Sequence, residues 1–89
     1  MIPNDIFSLL RDDKSQEALA QVEEHISANP RDDNAYYVLG RIYWQLGNHA
    51  MAVNNYRMAI DINPQSPARY ALEIAGDVFD FFNPDLLNP

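Results

Sequence analysis

Cysteine is absent from this chain, and so is threonine. The first absence removes disulfide staples and thiolate metal ligands together. Basic residues are scarce: 6 Lys and Arg stand against 13 Asp and Glu, for a formal net charge of −7. A phosphate-backbone binder needs a positive face, so no nucleic-acid partner is expected. No apolar run approaches the roughly 20 residues that span a bilayer. Met1 leads into Pro3, Asn4 and Asp5 rather than into a basic segment and an apolar stretch. The expectation is therefore no membrane partner, no secretory leader and a cytoplasmic setting. No segment alternates with period two, which leaves no candidate strand. What is present suits one small folded domain: 89 residues, 47% of them apolar, too apolar for a disordered tail and too few for a second core.

Helix punctuation is regular. Asn-Pro occurs at 29–30, 63–64, 83–84 and 88–89, and the residue before proline is steered away from helical geometry. The first two pairs lie 34 residues apart, and the same offset lays Ala18 on Ala52, Leu19 on Val53, Val22 on Tyr56 and Ile26 on Ile60. These apolar positions share one face of an α-helix. Ile6, Leu9 and Leu10 predict a first helix that ends near Arg11-Asp12-Asp13-Lys14. Ala18, Leu19, Val22, His25 and Ile26 predict a second, stopped by Asn29-Pro30. A third carries a core stripe of Tyr36, Leu39, Gly40 and Tyr43 and closes at Leu46-Gly47, where glycine suits the left-handed residue that ends a helix. Asn48 caps a fourth through Ala52, Val53, Tyr56 and Ala59. Ser66-Pro67 opens a fifth, with Ala71, Ile74, Ala75, Val78 and Phe82 on its buried face. The fold class is all-α, built from about five antiparallel-packed helices.

The third and fourth helices resemble the tetratricopeptide repeat. Tyr36-x₂-Leu39-Gly40-x₂-Tyr43, Ala52-x₃-Tyr56, Ala59 and Pro64 fill that family's 34-residue pattern, with tyrosine in place of its Trp and Phe. The resemblance implies a right-handed stack of helix pairs, a short α-solenoid. It divides residues 1–82 into a partial repeat (1–32), a full repeat (33–66) and a capping helix (67–82), with 83–89 as a tail. Asp13 falls where the full repeat has Gly47, and His25 where it has Ala59. Gly40 permits close helix approach, opposite a seam of Ala52 and Ala59 surrounded by Tyr36, Tyr43 and Tyr56.

Catalytic patterns are missing. Ser8, Ser15, Ser27 and Ser66 sit at expected helix ends or turns, and His25 and His49 fall in no triad spacing. His25 reads as an imidazole filling a gap at the N-terminal edge rather than as a pH sensor. Asp12-Asp13 and Asp32-Asp33 precede helices, where carboxylates cap and meet the helix dipole. They lack calcium-loop spacing, and no His pair is set for zinc. No cofactor and no metal are expected, and the chain is read as a non-enzyme.

What remains is a surface. Beside the core stripe of the third helix runs a second stripe of Asn34, Tyr37, Arg41, Trp44 and Gln45. The resemblance implies that this stripe lines the concave groove and holds a peptide or a neighbouring domain. Two aromatics and an arginine are the residue types of binding hot spots. The competing expectation for Trp44 is packing on the first or fifth helix. The basic clamp by which some relatives hold acidic chaperone tails is missing, since Pro3, Phe7, Ala68 and Leu72 occupy its matching positions. A self-assembly element, or an excised part of a longer repeat scaffold, is the alternative function. Tyr70, Leu72, Phe79, Phe81, Leu86 and Leu87, with Ile2 and Phe7, form apolar surplus at the two ends, expected to serve a folded-back tail or weak homodimerisation.

Overall fold

The computed structural model describes residues 4–74. Four helices follow one another: α1 (Asn4–Arg11), α2 (Ser15–Ala28), α3 (Asp33–Gln45) and α4 (His49–Ile62). Residues 68–74 are helical again. No strand occurs among the described residues. The expected capping helix beyond Ile74, the 83–89 tail and the surplus at Ile2, Phe79, Phe81, Leu86 and Leu87 lie outside the described residues.

The 34-residue offset is visible in the backbone. At the end of α1, Asp13 N–H donates to the Leu10 carbonyl (3.2 Å) and Lys14 N–H to that of Leu9 (2.8 Å). Thirty-four residues later, Gly47 N–H donates to Trp44 (3.0 Å) and Asn48 N–H to Tyr43 (2.9 Å). Each pair closes a Schellman turn, whose last helical residues are followed by one left-handed residue. That residue is Asp13 at φ 64° in the first turn and Gly47 at φ 86° in the second.

This turn overturns one expectation. Asp12 and Asp13 do not cap α2, because Asp13 is consumed in closing α1. The N-cap of α2 is Lys14, which makes no side-chain capping bond. The other caps form as the sequence predicts. Asp32 accepts from Asn34 N–H (3.1 Å), Asn48 from Met51 N–H (3.2 Å), and Ser66 Oγ from Ala68 N–H (3.1 Å). Satisfying an orphan amide at a helix start contributes about 1 kcal/mol each.

Two apolar clusters hold the helices together. Ile6 and Leu10 of α1, Ala18 and Val22 of α2, and Ala35, Val38, Leu39 and Ile42 of α3 form the first. Ala52, Tyr56 and Ala59 of α4 with Ala68 form the second, covered by Tyr36, Tyr37, Tyr43 and Trp44 of α3. Helix α3 therefore buries more than the expected stripe. Ala35, Val38 and Ile42 are fully buried, whereas Tyr36 and Tyr43 are half-buried flanks. A helix between two neighbours has two core faces, and the aromatic stripe is only one of them.

The seam with α4 is close at Gly40. A Cβ built there would stand 3.0 Å from Tyr56 Cζ and nearer still to Cδ1 and Cε1, so a side chain is excluded by the ring. Asn63 Nδ2 donates to Asp33 Oδ2 (3.2 Å), which ties the end of α4 to the start of α3 and fixes them antiparallel. The segment 68–74 packs in a rotated register from that expected. Ala68 is buried, Ala71 and Leu72 lie on the second cluster, and Ile74 is 64% exposed. The face begins at Ala68 and runs i, i+3, i+4, so Leu72 turns inward and Ile74 outward.

Candidate functional site

The second stripe of α3 opens onto two adjoining hollows. The larger, about 550 Å³, is lined by Phe7, Leu10 and Arg11 of α1, Arg41, Trp44 and Gln45 of α3, and Tyr56 of α4. The smaller, about 210 Å³, is lined by Tyr37, Arg41, Trp44 and Tyr56 together with Ala71 and Ile74. Arg41, Trp44 and Tyr56 belong to both, so the two hollows form one groove. It runs from α1 across α3 to the segment 68–74. Its total size is that of a short-peptide or small-molecule site, on the order of 300–1,000 Å³.

Of the stripe read from the sequence, Tyr37, Arg41, Trp44 and Gln45 come together here and Asn34 does not line either hollow. Asn34 lies a turn away at the start of α3, where its amide is engaged by the Asp32 cap. Gln45 has a second commitment. Its Nε2 donates to the Leu10 carbonyl (3.1 Å) and to Asp13 Oδ1 (2.9 Å), fastening the α1–α2 turn to the end of α3.

Aromatic contacts set the groove floor. Trp44 stacks on His49 with ring centroids 4.0 Å apart and planes 24° from parallel, a partner that neither sequence expectation for Trp44 included. Tyr37 and Tyr56 rings stand 6.1 Å apart at 36°. The Arg41 guanidinium carbon lies 6.0 Å from the Tyr37 ring centroid, at the outer range of a cation–π contact. Burial, with a smaller push from Tyr37, raises the Tyr56 hydroxyl above its ordinary pKa of 10.0, and Arg41 only partly offsets this.

Phe7, Arg11 and Tyr56 are groove residues that the stripe on α3 leaves out. The 34-residue offset contains the signal for the first two, since Phe7 matches Arg41 and Arg11 matches Gln45. The sequence pattern places Tyr56 in the seam alone, and it serves both seam and groove.

His25 is more than a gap filler. Its Nε2 lies 2.8 Å from Asp32 Oδ2, with both side chains largely buried. Burial pushes the Asp32 carboxyl up; hydrogen bonds from His25 and the Asn34 amide, with attraction to nearby positive charge, pull it down, and on balance the carboxyl titrates below its ordinary 3.8. This pair braces the cap of α3 and lines neither hollow. No group of three or more His, Asp or Glu is placed to hold a metal among the described residues. No helix there is long and apolar enough to cross a membrane.

Residues 33–66 match the tetratricopeptide repeat family. A stretch of 51 residues is 39% identical to cytochrome c-type biogenesis protein CycH of Bradyrhizobium diazoefficiens, covering 57% of this chain and 14% of that protein. Another of 49 residues is 37% identical to cellulose synthase operon protein C of Escherichia coli, covering 55% of this chain and 4% of that protein. The fold is similar to the solution NMR structure of a Bacteroides fragilis protein, with a TM-score of 0.89 and 38% identity over 94% of this chain and 86% of that one. This chain therefore spans a small fraction of the two curated relatives and most of the solved one.

Proposed function

Because the chain belongs to the tetratricopeptide repeat family, we propose that it is a non-enzymatic binding module whose groove holds a segment of a partner protein. One observation carries the reading: α1, α3 and the segment 68–74 jointly line a continuous groove floored by Trp44 and Tyr56 and edged by Arg41. Rigid aromatic surface beside an arginine offers contact area at low entropic cost and a directional polar anchor. The curated relatives carry the matched stretch as 14% or 4% of their length, so a neighbouring domain of a longer protein is a ligand on the same footing as a separate peptide.

Peptides selected from a random display library test the reading. Arg41→Ala keeps the wild-type melt, and Trp44→Ala lowers it modestly by unstacking His49. Both weaken the selected peptides by about 1–2 kcal/mol or more. Selected peptides that bind both variants as tightly as wild type place recognition on another face.

Self-association is the second reading, supported by Tyr70 at 73% and Ile74 at 64% exposure near one end of the stack. Sedimentation over a wide concentration range decides it: a monomer throughout removes self-association.

A further inference from the structure

Charge is distributed against the chain's average around the groove. The protein carries 13 acidic and 6 basic side chains. Yet the described residues lining the two joined hollows include two arginines, Arg11 from α1 and Arg41 from α3, and no carboxylate. Asp13 and Glu17 line a separate depression with Lys14 and Leu46, and Asp13 is already engaged by the Gln45 amide.

Neither arginine is neutralised among the described residues. Arg11 Nη2 donates to Ser8 Oγ at 3.2 Å, and Arg41 has the Tyr37 ring at 6.0 Å. The one charge-capable pair there is His25 with Asp32, and neither lines the groove. A guanidinium offers five donors in a planar fork that matches a carboxylate. Screening confines the effect of remote carboxylates, because the Debye length is about 8 Å at physiological ionic strength. Among the described lining residues the two arginines are the only charged side chains, and Phe7, Trp44 and Tyr37 supply apolar surface beside them.

We propose that the groove selects segments carrying carboxylate side chains next to apolar ones, the carboxylates meeting Arg11 and Arg41 and the apolar groups lying on Phe7 and Trp44. This rests on the groove reading given above and adds the chemistry of the ligand. A neutral apolar segment leaves both guanidinium forks to water, and a basic one opposes them.

Three libraries of blocked nonapeptides provide the test. Each randomises Phe, Leu, Ile and Val around two spaced positions that hold Asp, Asn or Lys, and none contains tryptophan. Binding is measured by titration calorimetry, and engagement of the groove by the emission of Trp44, the protein's single tryptophan. The best Asp peptides are expected to bind about tenfold tighter than their Asn counterparts, in line with a hydrogen bond to a charged group. Arg11→Gln and Arg41→Gln each narrow the ratio between Asp peptides and their Asn counterparts to about twofold, the pattern of a specific charge pair. Asn or Lys peptides that bind as tightly as Asp, with Trp44 responding, overturn the charge selection and leave the groove reading standing. Peptides that bind without any response of Trp44, or no binding from any library, overturn the groove reading and this inference with it.

Discussion

Gly40→Ala sets two effects of known sign against each other. In a helix interior alanine is favoured over glycine by about 1 kcal/mol. Against that gain, the new methyl meets the Tyr56 ring at 3.0 Å from Cζ and closer at Cδ1 and Cε1. The ring cannot swing aside cheaply, since it is only 4% exposed and the Tyr37 ring stands 6.1 Å away. Overpacking a close helix seam costs about 1–3 kcal/mol, and the overlap involves a rigid ring, so the upper end applies. The net expectation is a loss of about 1–2 kcal/mol, or roughly 4–8 °C of melting midpoint per kcal/mol in a domain this small. Thermal melts followed by far-ultraviolet circular dichroism read this directly. A cycle with Tyr56→Leu should return a coupling of similar size, because the shorter side chain vacates the space of the methyl. Gly47→Ala is the control: nothing lies within 4 Å of its added carbon, and its cost of about 1 kcal/mol comes from φ +86° alone. That cost should be indifferent to Tyr56→Leu. A Gly40→Ala protein that melts at or above wild type would refute the close approach.

Lys14→Asn should gain about 1 kcal/mol by giving α2 the side-chain cap that Asn48 gives α4, and an unchanged midpoint would mean that the two turns are not equivalent. Asp32→Ala should lose about 1–2 kcal/mol, since it removes the cap of α3 and the partner of His25. The Asp32 carboxyl titrates below its ordinary 3.8 in the folded protein, so its stabilisation is complete above about pH 4 and fades as pH falls through the folded value. The gap in midpoint between wild type and Asp32→Ala should therefore stay flat from neutral to about pH 4 and close below it. A gap that persists in stronger acid would assign the loss to packing rather than charge.

The helices are legible in the sequence because their ends are written in residue types. Asn-Pro, Leu-Gly and Ser-Pro each restrict the backbone locally, and α2, α3, α4 and the start of the segment at 68 fall where those pairs predict. The first turn is less legible. A left-handed residue is announced by glycine at Gly47, but Asp13 adopts the same conformation with a side chain equally suited to capping. Only the 34-residue offset separates the two roles. Burial on α3 is legible for the aromatic stripe and hidden for Ala35, Val38 and Ile42, since periodicity finds one apolar face and this helix has two. In the groove, Tyr37, Arg41, Trp44 and Gln45 share a stripe that any helical wheel displays. Phe7, Arg11 and Tyr56 reach the same hollow through chain separations that local pattern does not encode. The double bond from Gln45 to Leu10 and Asp13 is of that kind too, a contact across more than thirty residues.

The position of α3 in both apolar clusters has a further consequence for how the molecule opens. In a longer solenoid each unit contacts only its neighbours, and end units can fray while the middle persists. Here the middle is a single helix: Val38 and Ile42 close one cluster while Tyr37 and Trp44 cover the other. Any fluctuation that exposes the amides of α3 must dissolve both clusters at once. Native-state hydrogen exchange should find α3 as the slowest unit, opening only with the whole domain, while α1 exchanges through cheaper partial openings. Arg41 and Trp44 project from that same last-opening helix, so the groove's central anchors stay in place through partial openings at the ends of the stack.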